Sequence, residues 1–306
     1  VITVEGKGGI KASVVADSIS EAGGRITTFE LEYPRFIHSE FMTHRQFSRN
    51  AASSRAIPVE KVIEQVEKSY AMPIHWGKNQ PGMQAKAEVG SPELAAVEWM
   101  DAAHGAVDNA EVLLSRGLHK QIVNRILEPY QFIKVVCTAT EYENFFYLRD
   151  HADAQPEIAE LARCMREARD QSEPQLLKAG EWHLPYVSTE RDCDGELRYT
   201  TEDIDFECVD NAIKLSASLC AQVSYRKSDE SIEKALKIYH QLVNMKPVHA
   251  SPFEHQATPM ETPITNEGWY LGEGVTHCDV SGNLWSGNFK GFIQHRQLIE
   301  GHVYAE

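Results

Sequence analysis

The sequence has no apolar run long enough to cross a bilayer, no Cys-x-x-Cys pair, no Gly-x-Gly-x-x-Gly fingerprint and no extended Lys/Arg run. Each absence excludes a class. A membrane span needs roughly 18 or more consecutive apolar residues, and none is present. The six cysteines, Cys137, Cys164, Cys193, Cys208, Cys220 and Cys278, lie far apart without Cys/His pairing. No zinc cage or other metal site is therefore expected, and free, mostly buried thiols are the default. Without the glycine fingerprint, a dinucleotide on a Rossmann unit is excluded. Positive charge is scarce: 30 Lys and Arg stand against 45 Asp and Glu, a formal net charge of −15. Such a chain repels a polyanion, so no nucleic acid partner is expected, whereas a small anion in a local basic pocket is compatible. Val1 to Gly9 lacks an apolar stretch behind a basic start, and cytoplasmic folding is the expectation.

What is present suffices for a globular core: 306 residues, 42% hydrophobic and 25% charged. KASVVADSIS and ITTFELEYP, separated by a polar turn near Glu21–Arg25, predict a β-hairpin over 10–34. After Pro34 the spacing of Phe36, Ile37, Phe41 and Met42 predicts a short helix delivering His44 and Arg45 at its C-terminal end. SRNAASSRA reads as a loop of small polar residues. Helices are expected over 58–70, 91–116, 141–151, 156–173, 209–223 and 231–243, with 71–86 as a Pro/Gly-rich connection. The stretch 186–199 is polar and turn-rich, and a final short helix is expected near 290–298. FMTHRQF at 41–47 and FIQHRQL at 292–298 form a faint internal echo.

Between Phe41 and Val59 no acidic residue occurs, while His44, Arg45, Arg49, Asn50, Ser53, Ser54 and Arg55 crowd together. Small serines let backbone N–H groups approach an anion, and the Arg55 guanidinium can close on it bidentately. This chemistry suits a nucleotide monophosphate. A purely structural use is also open: His44 and Arg45 capping helix carbonyls, with the Ser/Asn stretch turning the chain.

His44-Arg45, Ser48, Asn50, Ser53 and Arg55 resemble the signature of the ThyX family of flavin-dependent thymidylate synthases, an Arg-His-Arg followed by spaced Ser, Asn, Ser and Arg. A second block is similar in family order: Asn124-Arg125, Pro129, Thr138 to Thr140, Asn144-Phe145-Phe146, Leu148-Arg149, Ala154-Gln155 and Glu157-Ile158. A third block, Gln222-Val223-Ser224-Tyr225 and then His249, Ser251-Pro252-Phe253-Glu254-His255, resembles the family's N-terminal region but comes last here. The segment order therefore looks circularly permuted within one catalytic domain: a signature and helical portion at 1–180, a junction at 181–215, and a displaced segment at 216–306. Gln294-His295-Arg296 stands as a degenerate second copy. Thr43 replaces the first Arg of the signature, Ala51 a Glu and Ala56 a Tyr, and Asp153 stands where the family has a flavin-contacting His.

The resemblance implies an α+β fold, a small antiparallel sheet packed with long helices. The hairpin and the strand after His255 are expected to form that sheet. It implies one-carbon transfer from 5,10-methylenetetrahydrofolate to C5 of dUMP, giving dTMP, with FAD as cofactor and NADPH as electron source. Ser53, Ser54, Arg55, Arg125 and Arg149 are the implied dUMP ligands, with Arg149, Ser53 and Arg55 catalytic. His44, Arg45, Ser48, Asn50, Asn144, Ser224, Ser251 and Glu254 are the implied FAD positions, and His249 faces folate or nicotinamide. Shared active sites imply self-association, as a homotetramer. Rivals remain: release of 5-hydroxymethyl-dUMP, or a nucleotide- or flavin-binding relic without turnover. Bland roles exist for single residues: Arg149 in an ion pair with Asp150 or Asp153, Asn144 as a helix cap, Glu254 facing solvent and His249 in a turn.

Overall fold

The computed structural model describes residues 1–202, 204–224, 231–261 and 272–303. The first half builds a six-stranded sheet. Strands β1 (Ile2–Glu5), β2 (Lys11–Ser20) and β3 (Arg25–Pro34) are antiparallel neighbours, and β2 and β3 form the expected hairpin. Helix α1 (His38–Met42) follows β3 after one 3-10 turn and leads into β4 (Ser48–Ala51). SRNAASSRA is thus not wholly a loop: its first four residues pair with a later strand, because their backbone groups meet an unpaired sheet edge.

Two helices, α2 (Val59–Lys68) and α3 (Pro92–Ser115), then form a lobe with the 3-10 segment Asn124–Tyr130. Val59, Val62, Ile63 and Val66 recur at i, i+3, i+4 and i+7, and all four are buried there. Each such burial contributes about 1.5 kcal/mol or more. The short helix α4 (Lys120–Val123) closes this lobe. Strand β5 (Phe132–Ala139), for which the sequence reading assigned no element, inserts between β3 and β4. Helices α5 (Glu143–Arg149) and α6 (Pro156–Asp170) follow. In α6, Pro156 opens the helix and the Gln155 side chain accepts from the Ile158 N–H at 3.0 Å. Ile158, Leu161, Ala162, Met165 and Ala168 then bury against the sheet. Strand β6 (Gln175–Leu177) pairs parallel to β2.

The second half begins with a hairpin of β7 (Ser188–Arg191) and β8 (Leu197–Thr200), where a turn-rich stretch is expected. Helices α7 (Val209–Ala221) and α8 (Ile232–Asn244) form where helices are expected and pack together, the latter capped by the Ser231 hydroxyl on the Lys234 N–H. Strand β9 (Ala257–Pro259) comes next, then β10 (His277–Cys278), β11 (Leu284–Ser286), β12 (Phe289–Lys290) and β13 (Phe292–Gln294). Two expectations are corrected here. The strand after His255 pairs with β13, not with the hairpin sheet. The segment 290–298 is two short strands and a 3-10 turn rather than a helix, because Phe289 and Phe292 bury with Ile26 and Ala257 across a tight turn at Gly291.

The two sheet faces differ in chemistry. Phe29 lies opposite Cys137, and Leu31 opposite Val135, in the apolar core with α6. On the alternate register Thr28, Thr138 and Ser48 stand in a row across three strands. The second half docks on this polar face through buried hydrogen bonds: Ser18 Oγ to His183 Nδ1 (2.9 Å), His183 Nε2 to Thr28 Oγ1 (2.8 Å), Thr28 to Thr138 (2.7 Å) and Thr138 to His255 Nδ1 (2.8 Å). The architecture is mixed α+β. Among the described residues no helix is long and apolar enough to cross a membrane, and no group of three metal-binding side chains occurs.

Candidate functional site

His44 lies just past α1, where its ring stacks on Phe47 and meets the Phe145 ring edge-on at 4.8 Å. Arg149, in the last turn of α5, donates from Nε to His44 Nε2 at 2.9 Å and reaches Thr43 Oγ1 at 3.5 Å. Burial, and then the guanidiniums of Arg149 and Arg49, lower the His44 pKa to about 4. The imidazole is therefore neutral at pH 7 and accepts from Arg149. Asp150 pairs instead with Arg166 (2.6 Å) and Asp153 with Lys86 (3.7 Å), so the surface ion pair considered for Arg149 does not form. Arg45 and Asn144 are exposed beside this contact, and Asn144 sits inside the first turn of α5 without capping it.

The signature loop is held from two sides. On one, the Asn50 amide donates to the Cys220 carbonyl (3.2 Å), and the Ser53 N–H donates to the Ser224 hydroxyl (2.9 Å). Ser48 is buried and exchanges hydrogen bonds with Asn288 (3.0 and 3.1 Å), while Gln294 donates to it at 3.2 Å. Gln294 also donates to the Glu254 carbonyl, and the Glu254 carboxylate is ion-paired with Arg296 rather than facing solvent. His295 is buried against Trp182, Tyr239 and Phe253, and burial lowers its pKa to about 4. The second His-Arg copy is thus consumed by packing. Tyr225 lies outside the described residues.

On the other side, the Ser54 hydroxyl donates to Glu128 Oε1 at 2.7 Å, and Arg125 Nη1 donates to the same carboxylate at 3.0 and 3.3 Å. Asn124 holds the Ser54 carbonyl (2.6 Å), and Lys120 Nζ donates to the Ala56 carbonyl (2.9 Å). Arg35, absent from the sequence-predicted set, contacts Glu128 at 3.3 Å and donates to the Ala52 carbonyl. No pattern marks Arg35, a single cation after Pro34. Glu128, three residues after Arg125, is likewise absent from the sequence-predicted set. Arg55 is exposed, with no ion pair among the described residues.

His249 and Ser251 are exposed, and the His249 N–H donates to the Leu242 carbonyl of α8. The structure brings neither to His44 or Arg149 through any described contact. A cleft of about 1010 Å³ opens beside Gly23, Thr140, Arg169 and Lys290, and no sequence-predicted site residue lines it. Its cations are engaged: Arg169 by Glu143 (2.9 Å) and Lys290 by Glu141 (3.1 Å).

Residues 25–175 match the Thy1 family, thymidylate synthase complementing protein, and through that segment the chain belongs to this family, also called ThyX. Family membership supports a flavin-dependent, thymidylate synthase-like enzyme with a nucleotide substrate. No curated protein matches the chain. The donor set fits a flavin nucleotide in part. Exposed Arg45 and Asn144 offer a guanidinium and an amide to an anionic, carbonyl-bearing ring, while half-buried Arg149 is held on His44. The Ser48 hydroxyl, by contrast, is already spent on Asn288 and Gln294.

Proposed function

We propose that the chain transfers a one-carbon unit from 5,10-methylenetetrahydrofolate to C5 of dUMP, giving dTMP, with NADPH as electron source. The observation that carries this reading is the His44–Arg149 contact within the family-matched segment. Neutral His44 fixes the guanidinium at Nε and leaves its outer nitrogens to donate to a uracil carbonyl. A charge that never titrates polarises that carbonyl and makes C5 a better carbon nucleophile. Ser53, Ser54, Arg55 and Arg125 bind the phosphate. Arg45 and Asn144 hold FAD, which when bound supplies the redox step. Ser48, Asn50, Ser224, Ser251 and Glu254 belong to that flavin site, while exposed His249 borders the folate or nicotinamide.

The open, surface placement of Arg45, Arg55 and Asn144 is consistent with active sites completed by another copy, in a homotetramer. A circularly permuted order within one catalytic domain is supported by the seating of Ser224 on Ser53 and of Gln294 on Ser48.

The test is an absorbance spectrum of purified protein, then anaerobic reoxidation of its reduced flavin on adding dUMP and methylenetetrahydrofolate, with the product mass recorded. Reoxidation requiring both additions is expected. A hydroxymethyl product would favour the alternative that Thr43, Ala51 and Asp153 motivate. A colourless protein, inert after FAD is supplied, would leave a nucleotide-binding relic.

A further inference from the structure

Glu128 occupies a singular position. One carboxylate receives the Ser54 hydroxyl (2.7 Å), Arg125 Nη1 (3.0 Å) and Arg35 Nη2 (3.3 Å), where a loop rich in serine, backbone N–H groups and cations would otherwise meet a free anion. Arg55 and Lys120 border the same loop without a carboxylate partner among the described residues. The three ligands of Glu128 are not equivalent. The Arg35 and Glu128 side chains are mostly buried, at 16% and 23% exposure, whereas Arg125 is 58% exposed. Arg35 is further tied to the Ala52 carbonyl at 3.3 Å. The buried pair is fixed, and the exposed arginine can change partner at small cost.

We infer that Glu128 is a built-in stand-in for the phosphate of a nucleoside monophosphate: it holds the Ser54–Arg125 loop in a binding-ready shape and competes with the substrate for Arg125. This rests on the phosphate-binding role proposed above for Ser53, Ser54, Arg55 and Arg125. The arriving dianion takes Arg125 from the carboxylate, and Glu128 stays on Arg35 and Ser54. The carboxylate thus weakens phosphate binding by like-charge repulsion.

The test is calorimetric titration of the full chain at fixed ionic strength with dUMP, deoxyuridine and inorganic phosphate, for the wild type and Glu128→Gln. Glutamine keeps an acceptor for Ser54 and removes the charge. Binding of dUMP and phosphate tightens roughly tenfold in E128Q, while deoxyuridine binding is unchanged. In the double variant E128Q with Arg125→Gln, the gain shrinks, because the released cation is gone. Should E128Q not fold, Glu128→Asp, which draws the charge back by one methylene, still tightens dUMP by a smaller factor. Unchanged or weaker dUMP binding in the folded variants, or equal tightening of deoxyuridine, overturns the inference. If the wild type binds neither dUMP nor phosphate, the phosphate-site reading itself fails, and the inference falls with it.

Discussion

A ring nitrogen that accepts a hydrogen bond from a guanidinium cannot carry a proton, so the chemistry of Arg149 depends on the charge of His44. Burial and two neighbouring arginines keep that imidazole neutral well below pH 6. His44→Ala should lower kcat/KM roughly a hundredfold by freeing the guanidinium, with His44→Gln, which retains an acceptor, recovering part of the loss. The pH profile of kcat/KM should show no inflection from His44 near 6.5. Steady-state kinetics of the two variants checks both statements. Arg149→Ala should abolish turnover, and Arg55→Ala should weaken dUMP affinity with a smaller effect on kcat. Near-normal kinetics in both would remove the site assignment.

At the scale of elements, the polar row on the central sheet is the feature most exposed to test. Thr138 on β5 bonds both Thr28 and His255, and both partners are buried. Thr138→Val keeps the shape, leaves buried His255 Nδ1 without its partner and takes one of two partners from Thr28, so it should cost about 2–3 kcal/mol in urea unfolding. Thr138→Ser should restore most of the loss. Strand β5 also shows where the sequence stops being readable. FIKVVCTA is nearly continuous in apolar residues because both faces are covered, so it carries neither a strand's alternation nor helical spacing. Strand β4 hides for the opposite reason: Ser48–Ala51 has weak strand propensity and is strand only because an edge of β5 is free to pair. The β2–β3 hairpin and α2, α3, α6, α7 and α8 were legible because each buries one periodic face or carries a capping signal. Of the candidate site, the Ser/Asn/Ser/Arg train was visible as a cationic stretch without acids. Glu128 and Arg35 were not visible as members, since only folding brings β3's end and the 124–130 segment to that loop.

For the whole molecule, the histidines set the response to acid. His38, His44 and His295 are lowered to about 4, and His183 and His255 to about 3, each chiefly by burial. Unfolding returns them to about 6.5, so the unfolded chain binds more protons in between. Stability is therefore fully present above pH 6.5 and declines as pH falls toward 4 and on to 3. Urea midpoints should drop steadily from pH 7 to pH 5, and a flat profile would contradict the burial of these rings. The same two deepest histidines bear on how such a sequence can change over generations. Among the described residues, the rings of His183 and His255 take their hydrogen bonds from Ser18, Thr28 and Thr138 of the other half. Replacing one member leaves its neighbour dry and unsatisfied, so tolerated changes come as compensated sets. In a collection of relatives, these five positions should covary as a block, giving a record of which halves have stayed together.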